Sequence, residues 1–165
     1  MSLAIVHTRA QLGVEAPPVT VEVHLSNGLP SLAIVGMPET AVKESKDRVR
    51  SAILNSHLEF PARRITVNLA PADLPKEGGR YDLAIAIGIL AASEQVPSEL
   101  LNELELIGEL ALSGAVRPVT GTLPAALAAG RDGHRLIVAS ENAPEAAMAR
   151  NTTIYSAENL LRVCA

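Results

Sequence analysis

The chain has 165 residues, a formal charge of −4, a single cysteine, 2% aromatic residues and no tryptophan. That length allows one domain whose core buries roughly 70% of the unfolded surface, and the lone Cys164 excludes an internal disulfide and a cysteine-built metal cluster. The acidic balance excludes a global attraction for nucleic acid and the shortage of aromatics excludes base-stacking platforms, so any DNA contact has to be local.

His7, Arg9, Gln11 and Glu15 interrupt the apolar core that a secretory signal would need in residues 1 to 15. With the single cysteine, this predicts a cytoplasmic location. Residues 4 to 7, 19 to 25 and 31 to 35 read as strands, and Asn27-Gly28 between the last two is a hairpin signal. In 19 to 25, Val19, Val21, Val23 and Leu25 alternate with Thr20, Glu22 and His24, which places Glu22 and His24 on the outer face. From Pro38 to Ser56, Val42, Ser45, Val49, Ala52, Ile53 and Ser56 recur at helical spacing. This predicts an amphipathic surface helix with Pro38 in its first turn and favourable pairs Glu39 to Lys43 and Glu44 to Arg48.

Residues 65 to 69 read as the next strand, 70 to 79 as a turn-rich segment, and 82 to 93 as a helix apolar on every side with Asp82 as N-cap. Its apolar run, Leu83 to Ala92, falls well short of the ~20 residues of a bilayer span, so a buried central helix is expected, with no membrane partner. Strands near 104 to 112 and 115 to 119, a helix 122 to 130, a strand 135 to 139, a helix 144 to 150, a strand 152 to 155 and a short helix 157 to 163 follow. The order implies one α/β domain over residues 1 to 165, an α+β mixed sheet with an antiparallel front half and a parallel βαβ back half.

Neither G-x-x-x-x-G-K-[ST] nor G-x-G-x-x-G occurs, so the backbone cradles for ATP or dinucleotide phosphates are missing from this sequence. The four histidines, 7, 24, 57 and 134, stand apart in sequence and show no zinc-ligand spacing. The charged glycine loop Pro75-Lys76-Glu77-Gly78-Gly79-Arg80-Tyr81-Asp82 runs into the N-terminus of the apolar helix, where it could bind an anion or simply make a tight turn with a cap. It contains no Ser, Thr or Cys to serve as a nucleophile. No catalytic, cofactor-binding or metal-ligating residue is assigned.

The segments GLPSLAIVGMPETAVKESKDRVRSAILNS (28 to 56), FPARRITVNLAPADLPKEGGRYDLAIAIGIL (60 to 90) and GELALSGAVRPVTGTLPAALAAG (108 to 130) closely resemble the N-terminal domain of the magnesium-chelatase-like AAA+ ATPases of the YifB and ComM type. The resemblance covers essentially the whole chain and implies a fold like the C-terminal proteolytic domain of Lon, a ribosomal-protein domain 2-like fold. It also implies that the ATPase module of the parent, with its Walker motifs, lies beyond this sequence. Laid over the Lon-type Pro-Lys-Asp-Gly-Pro-Ser loop, Pro75 to Gly79 leaves Arg80 at the serine position, and Thr122-Leu123-Pro124 stands where the partner lysine is expected.

The resemblance therefore implies an accessory, non-catalytic domain of a hexameric ATPase tied to DNA branch migration in natural transformation. Its partners would be the rest of the AAA+ chain, further copies in a homo-hexamer, and DNA. ATP and Mg are expected for the parent and no cofactor for this segment. Lys76, Glu77, Gly78, Gly79, Arg80 and Asp82 are candidates for a functional loop or ring interface. Arg63, Arg64, Arg117, Lys43, Lys46, Arg48 and Arg50 are candidates for phosphate contacts. The alternatives are a domain of a magnesium chelatase subunit and a cryptic Lon-like serine peptidase using Ser113 or Lys76.

Overall fold

The computed structural model describes residues 3–36 and 39–164. Its strands are β1 (Leu3–Arg9), β2 (Pro18–Ser26), β3 (Ser31–Val35), β4 (Arg64–Ala70), β5 (Leu104–Leu106), β6 (Glu109–Leu110), β7 (Val116–Arg117), β8 (Arg135–Ala139) and β9 (Ile154–Ala157). The helices are α1 (Thr40–Lys43), α2 (Ser45–Asn55), α3 (Asp82–Ala92), α4 (Thr122–Arg131), α5 (Ala143–Ala146) and α6 (Leu160–Cys164). None is long and apolar enough to cross a membrane.

Seven strands form one sheet in the order β3-β4-β2-β1-β5-β8-β9, and β6 and β7 form a separate antiparallel pair. The mixed α/β architecture agrees with the sequence: β2 is antiparallel to both β1 and β4, whereas β1, β5, β8 and β9 run parallel. In β2 the residues Val19, Val21, Val23 and Leu25 are buried while His24 is exposed, the period of two that a half-covered strand requires.

The expected hairpin does not form. β4 inserts between β2 and β3, antiparallel to the first and parallel to the second, so one pair in the front half is parallel. Ile65 thereby lies between Leu25 and Leu32, with its side chain fully buried. The branched, inward-facing β4 takes the two-sided position, and the short β3, with Ser31, Ala33 and Val35 exposed, takes the edge.

Every residue of α3 is buried. The helix lies across β1 and β2, and a Cβ at Gly88 would meet Val23 Cγ2 at 2.6 Å and Val6 Cγ2 at 3.5 Å. The glycine sets how closely helix and sheet approach. Gly88→Ala is expected to destabilise by about 1–3 kcal/mol from overpacking, against a helix-propensity gain of about 1. Thermal unfolding of the variant checks this, and adding Val23→Ala should recover part of the loss; an unchanged midpoint would show that the contact is not tight.

α4 and α5 cover the opposite face at the other end of the sheet. Alternation along β8 places Leu136 and Val138 against Ala125, Ala126 and Ala129, while Ile137 packs with the α3 core. The same face over β1, β2, β3 and β4 stays open, with Leu3, Ile5, His24 and Val35 exposed.

Several expected boundaries shift. The helix over 38 to 56 is two helices with Glu44 at the junction, and Pro38 lies outside the described residues. Glu39 turns its carboxylate to the Gly78 N–H at 2.7 Å, and Glu44 reaches Arg48 at 3.9 Å. The strand over 104 to 112 breaks at Ile107-Gly108, because Gly108 N–H donates to Arg80 O and Gly108 O accepts from Leu83 N–H. The strand over 115 to 119 shortens to Val116–Arg117 and the helix over 144 to 150 to Ala143–Ala146. The last strand and helix begin later than expected, at Ile154 and Leu160.

Candidate functional site

Asp82 is not a cap. Tyr81 holds the N-cap position without a side-chain cap bond, and Asp82 opens α3 fully buried. Its carboxylate accepts from Ser45 Oγ, from Arg48 Nε at 2.7 Å, from Arg48 Nη2 at 3.2 Å and from Leu110 N–H at 3.0 Å. Asp82 thus ties α2, α3 and β6 together. Burial pushes its pKa up, while hydrogen bonds from Arg48, Ser45 and Leu110 pull the other way. Arg48, expected to face phosphate, is committed to this clamp.

The loop before α3 is held from inside. Lys76 is buried, and its ammonium donates to Gly36 O at 2.7 Å and to Pro71 O, beyond the cis Ala70-Pro71 bond. Burial lowers the Lys76 pKa, with Asp73 opposing. A lysine clamped between carbonyls is a fastener for the loop. Arg80, which resemblance sets at the position of a nucleophile, is also buried and donates from Nε to Arg9 O at 3.0 Å and from Nη1 to Thr120 O at 2.9 Å. Its Nη2, the Tyr81 hydroxyl and the Thr122 hydroxyl are buried without a partner among the described residues. Ser113 is exposed at the turn before β7, its Oγ accepting from Ala115 N–H at 3.4 Å.

Above this loop lies a cavity of about 380 Å³ whose lining includes Gln11, Glu39, Glu77, Gly78, Gly79, Arg80, Tyr81, Glu109 and Thr120. Gly78 has φ 76°, the left-handed turn that its type permits. Gly79 serves a contact: a Cβ there would fall 2.8 Å from the Glu109 carboxyl carbon. Burial, with Glu77 and Glu39 acting in the same direction and Arg80 opposing, pushes the Tyr81 phenol up to about 12. Its hydroxyl therefore keeps its proton.

The predicted basic residues do not form one patch. Lys46 and Arg50, one turn apart on α2, line a cleft of about 380 Å³ together with Asp47, Ser31, Leu54 and Phe60, and the Arg50 guanidinium sits 5.6 Å from the centre of the Phe60 ring. Arg63 and Arg64 follow this turn. Arg64 is exposed and opposite Ser26 and Ser31, on the sheet face away from buried Ile65, and Arg63 is half-buried in the bend that precedes β4. Lys43 is exposed at the end of α1, and Arg117 stands on β7 opposite Glu109; neither lines the cleft.

Sequence reading missed a buried charge cluster. Arg9 makes a two-point contact with Glu105, at 2.7 and 2.9 Å, and also binds Asp132 and Ala16 O. His134 Nδ1 lies 2.7 Å from Glu105 Oε2, and His7 stacks on His134 with centroids 5.3 Å apart. The available signal was a glutamate inside the apolar run Leu104-Glu105-Leu106-Ile107. Among the described residues no group of three His, Cys, Asp or Glu side chains could hold a metal.

Comparison with known proteins matches residues 21–142 to the family model described as subunit ChlI of Mg-chelatase. The chain is 62% identical over 165 residues to YifB of Salmonella typhimurium, covering all of this chain and 33% of that protein. It is 58% identical over 163 residues to competence protein ComM of Haemophilus influenzae, covering 99% of this chain and 32% of that one. Lon protease 2 of Thermus thermophilus is 27% identical over 156 residues, 87% of this chain and 19% of the protease, in keeping with a Lon-like fold. The chain spans about a third of the length of YifB and ComM.

Proposed function

Because the chain belongs to the family of the ChlI subunit of Mg-chelatase, we propose that it is a non-catalytic module of a ComM-type AAA+ ATPase and guides nucleic acid along the cleft between α2 and the Phe60 turn. The observation that carries this reading is the convergence of Lys46 and Arg50 with Phe60 on one cleft. Two cations on one helix face against the single carboxylate of Asp47, with an aromatic ring, suit a sugar-phosphate strand, and they supply locally the positive charge that a chain of charge −4 lacks globally. The non-catalytic part is supported by Lys76 and Arg80, both of which donate to backbone carbonyls inside the fold. The similarity to a protein named for competence points the same way. ATP hydrolysis, Mg²⁺, a hexameric ring and branch migration on DNA belong to the longer protein in this reading.

Fluorescence anisotropy with single-stranded, duplex and four-way-junction DNA tests it. With about three phosphates neutralised, duplex affinity should fall roughly 40-fold between about 50 and 200 mM salt. Lys46→Ala/Arg50→Ala should weaken all three substrates and flatten the salt dependence, and Arg63→Ala/Arg64→Ala should add to the loss. Binding unaffected by the α2 pair would overturn the cleft assignment. No binding to any substrate would leave ring assembly as the role of the module.

A further inference from the structure

Between β2 and β3 the sequence offers a tight turn that the fold does not make. Because β4 stands between those two strands, the segment from Asn27 to Pro30 has to carry the chain past the end of β4. All four of its residues are exposed, and residues 27 to 29 form an open bend. Among the described residues neither the Asn27 side chain nor the Gly28 N–H has a hydrogen-bond partner. A two-residue hairpin turn would have fixed the backbone at both positions and tied the strands across it; that restraint is missing here. The other six asparagines stand differently. Asn55, Asn68, Asn142, Asn151 and Asn159 all have their side chains in hydrogen bonds, and Asn102 lies inside the helical turn Leu101–Glu103. None of the six is followed by glycine.

An asparagine side chain can close on the backbone nitrogen of the next residue, and a following glycine puts no Cβ in the way and leaves the backbone free to reach the angle required. We propose that Asn27 is a site of spontaneous deamidation, which adds a carboxylate to the segment against which Arg64 lies. The Gly28 nitrogen attacks Asn27 Cγ and forms the new N–Cγ bond; the Cγ–Nδ2 bond breaks, and ammonia leaves with the proton given up by the Gly28 nitrogen. Water then opens the cyclic imide at one carbonyl or the other, giving aspartate or isoaspartate. The formal charge becomes one unit more negative than −4. A Cβ built on Gly28 falls 3.8 Å from Arg64 Cβ and from Arg64 Cδ, so that side chain runs against the segment, and Pro30 and Ser31, a few residues on, line the α2 cleft. A negative charge there opposes the cations of the cleft. This consequence rests on the nucleic-acid reading; the modification itself does not.

The test holds the folded protein at neutral and at mildly alkaline pH, maps its peptides by mass spectrometry at intervals, and counts isoaspartate by methyl transfer from S-adenosylmethionine with an isoaspartate-specific carboxyl methyltransferase. Asn27 should convert several-fold faster than any other asparagine, faster at the alkaline pH because the attacking nitrogen has to lose its proton, and at a rate close to that of an end-blocked peptide Leu-Ser-Asn-Gly-Leu-Pro. Asn27→Gln should stay a single species on ion exchange while the wild type gains a more acidic one. The proposal is overturned if Asn27 in the folded protein converts far more slowly than in the peptide, which would make the bend a restrained turn, or no faster than Asn102. For the consequence, Asn27→Asp should bind duplex DNA several-fold more weakly than Asn27→Gln, with a salt dependence flatter by about one phosphate. Equal binding by these two variants would overturn the effect on the cleft. Binding by neither would count against the cleft reading alone, because the peptide map reads the modification without DNA.

Discussion

Glu105→Gln is expected to lower stability by about 3–5 kcal/mol, read as a reduced urea midpoint at unchanged slope. Glu105 lies on β5 between β1 and β8, fully enclosed, and its two oxygens hold Arg9 and His134. Burial works against the Arg9 cation, and hydrogen bonds to Glu105 and Asp132 outweigh it and raise its pKa. Glutamine keeps the shape and removes the charge, so a buried guanidinium is left with Asp132 as its only anion among these partners. Asp132 is half exposed, which sets the loss toward the lower end of that range. Replacing the pair together by Leu at 105 and Met at 9 should cost less than the single change, because no charge is then stranded. The cluster also gives the fold an acid-sensitive edge. Burial and the neighbouring His134 lower the pKa of His7, against an opposing pull from Glu105. A histidine whose folded pKa lies below its unfolded value makes the unfolded state the better proton binder, so stability falls as pH drops below about 6.5 toward the folded value. Asp132, held low mainly by its hydrogen bond to Arg9, contributes in the same direction at lower pH. A His7→Gln variant that loses stability between pH 7 and 5 as steeply as the wild type would contradict this account.

The parts of this protein that could be read from its sequence are those fixed by neighbours within a few residues. The alternation of β2, the all-apolar α3, the amphipathic face of α2 and the βαβ order of the back half follow from local periodicity. What escaped depends on partners far along the chain. Asn27-Gly28 has the composition of a hairpin turn, yet pairing is decided by which strand best fills the two-sided position, and that is β4, some forty residues on. The loop Lys76 to Asp82 has the composition of an exposed charged turn. Glu77 is exposed, but Lys76 and Arg80 are buried because Gly36, Pro71, Arg9 and Thr120 supply carbonyls to them. Arg48 shows the same limit: helical spacing cannot distinguish it from Lys46 and Arg50, and only the docking of α3 reveals that Asp82 claims it.

That clamp sets up a second large effect with an informative contrast. Asp82→Ala strands Ser45 Oγ and Leu110 N–H inside the core and leaves Arg48 without its carboxylate, and is expected to cost about 3–5 kcal/mol. Asp82→Asn retains the shape and an acceptor for Leu110 N–H. Arg48 is 20% exposed and has Glu44 within 3.9 Å, so it keeps water and a second carboxylate within reach. Since burial holds the Asp82 pKa above its ordinary value, the ionised form is the strained one, and a neutral replacement should cost only about 1–2 kcal/mol. The sign can be checked with pH. A carboxyl whose folded pKa exceeds its unfolded value makes the folded state the better proton binder, so its contribution to stability grows as pH falls through the folded pKa and is lost as pH rises. The gap between wild type and Asp82→Asn should therefore widen in acid, while the Asp82→Ala variant remains the least stable throughout. Equal losses for the two substitutions at neutral pH would show instead that the charge itself, rather than the acceptor geometry around α2, α3 and β6, holds the glycine loop against the core.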